Sequence, residues 1–272
     1  MTWLQALVLG VVQGLTEFIP VSSTAHLRIV PALLGWPDPG AAFTAVIQLG
    51  TLAAALVYFW RDIWNLTAAA LRSLVSSAAR QDPTARLAWA IVLGNIPIVV
   101  LGLAFRDFIE GGARSLVLIA TRLIVVALLL AVAEWVAKQT KAAEDLGVMG
   151  VFVIGIFQAL ALAPGASRSG STILGGLLMG LRREDATRFS FLLGMPAIFG
   201  AGLLQLVHLA RHGADSGWGA LLIALVTSAV VGYWSIGFLI RFLKSHRVSV
   251  FVIYRIALGV LLLVLAWRGI IA

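Results

Sequence analysis

Residues 13 to 26 read QGLTEFIPVSSTAH and place a carboxylate, three hydroxyls and an imidazole inside an otherwise apolar stretch. Gln13 precedes Glu17 by four residues, so on a helix both project from one face and together offer oxygen ligands. A hard cation such as Mg²⁺ or Ca²⁺ takes such oxygens, and Mg²⁺ is usually held by one or two carboxylates plus substrate phosphates. A carboxyl that is protonated or paired with an arginine would explain Glu17 without any metal. Among Ser22, Ser23 and Thr24, one hydroxyl is needed to cap the helix that follows Pro20. Ser23 or Thr24 is then free to act as a nucleophile or donor if a base lies nearby. His26, three residues after Ser23 and on the same helical side, is the candidate base.

A second polar cluster, PGASRSGS at 164 to 171, has glycines that let the backbone turn and serines that supply donors. A loop feeding a helix N-terminus is an anion site, and the planar fork of Arg168 matches phosphate oxygens. A turn with an N-cap would account for the glycines and one serine, but not for an arginine at membrane depth. The expected catalytic set is therefore Glu17, His26, Arg168 and one of the two hydroxyls, Ser23 or Thr24. Substrate contacts are assigned to Ser22, Thr24, Gly165, Ser167, Ser169 and Gly170, and metal ligation to Glu17 and Gln13. Arg122 and Arg255 could pair with Glu17 or steer an anionic substrate, and the sequence does not choose. Asn95 beside Pro97 reads as mending a kinked helix, and Gly175, Gly176 and Gly180 as allowing close helix packing.

The elements that must carry these groups follow from composition. The chain has 272 residues, 61% of them apolar and 12% charged, with a mean hydropathy of +1.01, which describes a polytopic membrane protein. The absence of cysteine excludes disulfides and thiolate metal sites. A net charge of +8 sits in short loops between apolar segments, as expected of charges that orient a protein in a bilayer rather than bind nucleic acid. The apolar N-terminus lacks a basic leader and a cleavage motif and reads as part of the fold.

Six segments have the ~20 residues that a crossing needs: 41 to 60, 87 to 105, 115 to 137, 186 to 210, 217 to 240 and 250 to 270. Charges such as Arg106, Asp107 and Arg241, and tryptophans such as Trp60 and Trp267, bound them. Two further stretches, 3 to 34 and 147 to 180, are broken by Pro20 and Pro164 into pieces too short to span. They are expected to form re-entrant helical hairpins whose irregular tips line a cavity or lie buried in protein. GVVQGL at 10 to 15 matches GIFQAL at 155 to 160, and VIQLG at 46 to 50 weakly matches SFLLG at 190 to 194, which predicts a duplication at about 145 residues. Three crossings separate the hairpins, so they enter from opposite faces. The expected architecture is one all-α membrane domain of two inverted repeats, about 1–140 and 147–272, with the two tips meeting near the midplane. Roughly twelve Lys and Arg fall at one face and roughly four (Arg106, Arg114, Arg211, Arg268) at the other. This puts both termini and the mouth of the first hairpin on the outer side.

With QGLTEFIPVSSTAH and PGASRSGSTI in place, the sequence resembles, over nearly its whole length, the bacterial undecaprenyl-diphosphate phosphatases that confer bacitracin resistance. The resemblance implies six crossings with two re-entrant hairpins in an inverted repeat. It implies hydrolysis of undecaprenyl diphosphate to the monophosphate carrier and inorganic phosphate, with a divalent cation, at the outer side of the cytoplasmic membrane, so that the carrier returns to peptidoglycan synthesis. By position it places the acidic motif on Gln13 and Glu17, the nucleophile on Ser23, neighbouring site residues on Thr24 and His26, and the phosphate clamp on Ser167, Arg168 and Ser169. Gln13 departs from the pattern, because many members carry a second Glu there. A transporter or flippase for a polyprenyl phosphate would use the same broken helices and the same Arg168. It would not need a nucleophile beside a metal site. The sequence leaves homodimerisation open.

Overall fold

The computed structural model describes residues 1–105, 115–214 and 216–270. Arg106, Asp107 and Arg114 lie outside the described residues. Among these, all regular structure is helical apart from an isolated bridge between Lys141 and Leu181. Six helical units are long and apolar enough to cross a membrane. They are α3 (Gly40–Tyr58), the pair α5 (Pro83–Gly94) and α6 (Ile96–Ala104), α7 (Leu116–Val136), α10 (Arg183–His212), α11 (Trp218–Ser245) and α12 (Ser249–Trp267). These coincide with the six expected segments, and α10 and α11 run longer than expected, at 30 and 28 residues. The fold is that of a multi-pass helical membrane protein. One helix, α4 (Trp60–Val75), escapes a search for crossings because its composition is amphipathic rather than uniformly apolar.

The two proline-broken stretches become pairs of short helices. α1 (Trp3–Thr16) ends at Glu17 and α2 (Ser23–Leu34) begins six residues past it, while α8 (Val148–Ala159) leads through a single 3₁₀ turn and a loop into α9 (Arg168–Leu178). At ~1.5 Å per residue, helices of 14, 12, 12 and 11 residues fall short of the ~30 Å hydrocarbon core. Each second helix starts with a serine cap in an unusual conformation. Ser22 and Ser167 have φ of 75° and 72°, a region that costs a non-glycine residue about 1–3 kcal/mol. Each hydroxyl accepts the amide three residues on, from Ala25 at 3.4 Å and from Gly170 at 3.1 Å.

Strain of this kind persists only where the surroundings fix it. Here the fixing group is Arg255 of α12, which is completely buried. Its guanidinium donates to the carbonyls of Leu123 (3.2 Å), Pro20 (3.0 Å), Gly165 (3.1 Å) and Ala166 (3.0 Å), so one side chain ties both loop tips to α7. Arg122 adds a bond from Nη1 to the Pro164 carbonyl at 3.2 Å. Of the two roles the sequence left open for these arginines, pairing with Glu17 is taken by neither in the contacts above. Gly165 sits at φ 98° with Ile119 O 2.7 Å from where a Cβ would stand, so the second tip passes flush against α7.

Asn95 at the α5–α6 junction donates to Ile91 O (2.9 Å) and Leu193 O (3.0 Å), closing the break before Pro97 as expected. Gly175 and Gly176 have close neighbours in Phe157 and Ala186, whereas Gly180 serves a turn, at φ 89° with only the Lys141 stem near it. The tightest approach is between α8 and α5, where a Cβ on Gly155 would lie 2.1 Å from the Gly94 carbonyl oxygen. Backbone cannot yield there. Gly155→Ala should therefore cost the ~1–3 kcal/mol typical of overpacking, read as a lowered unfolding temperature in detergent; an unchanged temperature would show that α8 and α5 are not in close contact.

Candidate active site

Helix ends bring the chemistry together. Glu17 caps the C-terminal end of α1, Ser23 opens α2 and Arg168 opens α9. Glu17 is buried, and its two oxygens are divided between the loops. Oε2 accepts from Gln13 Nε2 at 2.8 Å and from Ser23 Oγ at 2.6 Å, while Oε1 pairs with Arg168 Nη2 across 151 positions of sequence. A cavity of about 500 Å³ opens beside this cluster. Its polar end is formed by Glu17, Ser22, Ser23, Thr24, Ser167 and Arg168, and its walls by apolar residues that include Ile98, Val99, Leu103 and Leu204. Among its described lining residues, Glu17 is the acid and Arg168 the base, with the Arg255 guanidinium just behind the loops. Arg168 balances the Glu17 carboxylate, and the Arg255 guanidinium behind the loops leaves a net positive field, suited to an anion.

The other predicted residues take distinct places. Ser22 Oγ lies 3.2 Å from Thr24 Oγ1, and Ser167 Oγ 3.2 Å from Ser169 Oγ. Ser169 also donates to Ile19 O at 3.3 Å, a further tie between the tips. Gly165 gives its carbonyl to Arg255 and Gly170 its amide to Ser167, so both support the loop from behind. His26 turns away from Ser23. Its Nδ1 is 2.8 Å from the Ser22 carbonyl, which can only accept, so this nitrogen carries a proton. In the neutral ring Nε2 then accepts from Tyr254 Oη at 2.7 Å, and the two rings stack 8° from parallel. Ser23 therefore has Glu17 rather than His26 as its hydrogen-bond partner. Tyr254 carried no signal in the sequence. Arg255 did, as an arginine deep in an apolar helix.

For a cation, the described residues contain no group of three or more His, Cys, Asp and Glu. What they offer is the Glu17 carboxylate and the Gln13 carbonyl oxygen Oε1, which is buried and has no hydrogen-bond partner. Gln13 Nε2 donates to Glu17 Oε2, so the two would share a cation only with that amide turned over, and its remaining ligands would come from substrate phosphates rather than from an all-protein cage.

Residues 6–261 match the family model of Bacitracin resistance protein BacA, a range that covers both tips and every site residue from Gln13 to Arg255. The chain belongs to this bacitracin resistance family. Similar proteins include the undecaprenyl-diphosphatase of Chlorobium phaeovibrioides, 51% identical over 281 residues and 99% of both chains. That of Prosthecochloris aestuarii is 49% identical over 278 residues, again 99% of both. That of a Nocardioides species is 49% identical over 270 residues, 99% of this chain and 98% of its own.

In this member of the family the Glu17–Arg168 pair joins the two tips, so removing one partner strands the other charge in a largely buried position. Glu17→Leu and Arg168→Leu should each lower the unfolding temperature, and the double variant should lose less than the sum, with a coupling on the order of 2 kcal/mol. Additive losses would mean that the two groups do not interact.

Proposed function

We propose that the chain hydrolyses undecaprenyl diphosphate to undecaprenyl phosphate and inorganic phosphate, with the cavity at the two tips as its active site. The observation that carries this reading is the 2.6 Å hydrogen bond from Ser23 Oγ to Glu17 in a cavity that also holds Arg168. A serine on a carboxylate beside a guanidinium is a nucleophile, a base and an anion clamp within one site. The names and full-length similarity of the relatives support the substrate assignment.

Phosphoryl transfer depends chiefly on positioning and charge stabilisation. Arg168 takes the diphosphate oxygens with its planar fork, and Ser167 and Thr24 line the polar end as hydroxyl donors. Ser23 Oγ attacks the terminal phosphorus while Glu17 Oε2 accepts the hydroxyl proton. The bond from that phosphorus to the bridging oxygen breaks, and undecaprenyl phosphate leaves. Water then attacks the phosphoserine, the bond from phosphorus to the serine oxygen breaks, Glu17 returns its proton to that oxygen, and the water's protons leave on the released phosphate. His26 holds the Ser22 carbonyl and so keeps the strained turn that aims Ser23. A Mg²⁺ or Ca²⁺ held by Glu17 and Gln13 together with diphosphate oxygens would, when bound, neutralise charge on the transferring group.

The architecture of this reading is two inverted repeats, about 1–140 and 147–272, each with a re-entrant hairpin. Ser22 and Ser167 support it, 145 residues apart with the same left-handed cap, as do Gln13 and Gln158, equally spaced, buried, and each with an unpaired Oε1. α1 packs on α11 and α8 packs on α5 and α6, so each first helix leans on a crossing of the other half. The Lys and Arg distribution favours the cytoplasmic membrane with both termini and the cavity mouth outside. Returned undecaprenyl phosphate re-enters peptidoglycan synthesis, and its recovery underlies bacitracin resistance.

Purified protein in detergent should release phosphate from undecaprenyl diphosphate. Ser23→Ala and Glu17→Gln should each reduce the rate by about a thousandfold, as losses of a nucleophile or its base do, while His26→Asn should cost about tenfold. A His26 variant as inactive as the Ser23 variant would return the base role to the histidine. No release by folded wild type that binds the lipid would favour a carrier.

A further inference from the structure

Helix α4 stands apart from the crossings. Its exposed apolar side chains, Trp60, Trp64, Leu71, Leu74 and Val75, fall within about 100° of one another at 3.6 residues per turn. Ala69 and Ser73, on the opposite side, are buried. Arg61 and Arg72 are exposed and border the stripe. An amphipathic helix with aromatic residues on its apolar face and arginines at its edge lies in the plane of a bilayer surface, at head-group depth.

Beside the C-terminal turn of α4, a groove of about 360 Å³ runs between α4 and α5. Arg80, Arg86 and Trp89 line it together with Leu74, Leu93 and Val148. Its polar part is built rather than loose. Trp89 Nε1 donates to Ser73 Oγ at 2.9 Å, and Arg80 Nε donates to the Ser73 carbonyl at 3.1 Å, which fixes the guanidinium against the end of α4. Of the acids close in sequence to its lining, Asp82 caps α5 through Thr84 N at 2.8 Å and Asp145 accepts from Ala142 N at 2.9 Å. The groove thus combines two arginines with apolar side chains, the two kinds of contact that an anionic amphiphile needs.

We propose that this groove is a binding site for an anionic phospholipid, with the lipid phosphate against Arg80 and Arg86 and an acyl chain along Leu74, Leu93 and Val148. Basic pockets between helices at a membrane face take anionic head groups in this way. The site is separate from the cavity at the tips and does not rest on the phosphatase reading.

The full chain in detergent, titrated with phosphatidylglycerol or with phosphatidylcholine and read by native mass spectrometry, tests it. Wild type should retain phosphatidylglycerol at least about fivefold more strongly than phosphatidylcholine, the scale of one basic residue at an anionic surface. Arg86→Glu should bring the two lipids level, and Arg80→Lys, which keeps the charge, should keep the preference. Arg86→Gln reads the same loss should the charge reversal fold poorly. Equal retention of the two lipids by wild type, or an undiminished preference in both Arg86 variants, would overturn the assignment.

Discussion

One buried guanidinium organises this molecule. Arg255 gives all its described hydrogen bonds to backbone carbonyls, and three of the four belong to the two loop tips. A charge in such a place is expensive unless every donor is used. The same economy explains the tips: irregular backbone buried in protein needs partners for its carbonyls, and the arginine supplies them. Ser22 and Ser167 can then hold left-handed conformations that open α2 and α9 toward one another.

From that constraint the site follows. The residue after each strained serine is the first of its helix, Ser23 in one half and Arg168 in the other. The two helix starts thus carry different chemistry, a hydroxyl and a guanidinium, and Glu17 at the end of α1 bonds to both. The close pairing of loops explains how residues 151 positions apart share one carboxylate without a dedicated domain to hold them.

Much of this was legible in the sequence, for physical reasons. Crossings declare themselves because about 20 apolar residues are needed to span lipid, and the breaks because Pro20 and Pro164 interrupt helices. Glu17, Ser23 and Arg168 drew attention because polar groups are costly at depth. What sequence could not supply was the choice among partners. Helical spacing favoured His26 for Ser23, yet α2 begins only at Ser23, and the preceding turn folds Glu17 back over it, a contact between residues six apart that no helical periodicity predicts. His26 instead meets Tyr254, which is distant in sequence and ordinary in context. Arg255 was visible as an anomaly, but its four carbonyl partners are set by tertiary packing alone. α4 has no such signal in the sequence, because an amphipathic helix of 16 residues lacks the length and uniform apolarity of one that crosses a membrane.

Attack by Ser23 on the terminal phosphorus, with Glu17 as base, is tested by rapid acid quenching of single-turnover reactions with undecaprenyl diphosphate radiolabelled in its terminal phosphate, followed by peptide mapping. Transient label should appear on Ser23, forming and decaying at rates consistent with turnover. Full-rate phosphate release with no protein-bound label at any time, and with the same outcome in Ser23→Ala, would contradict it.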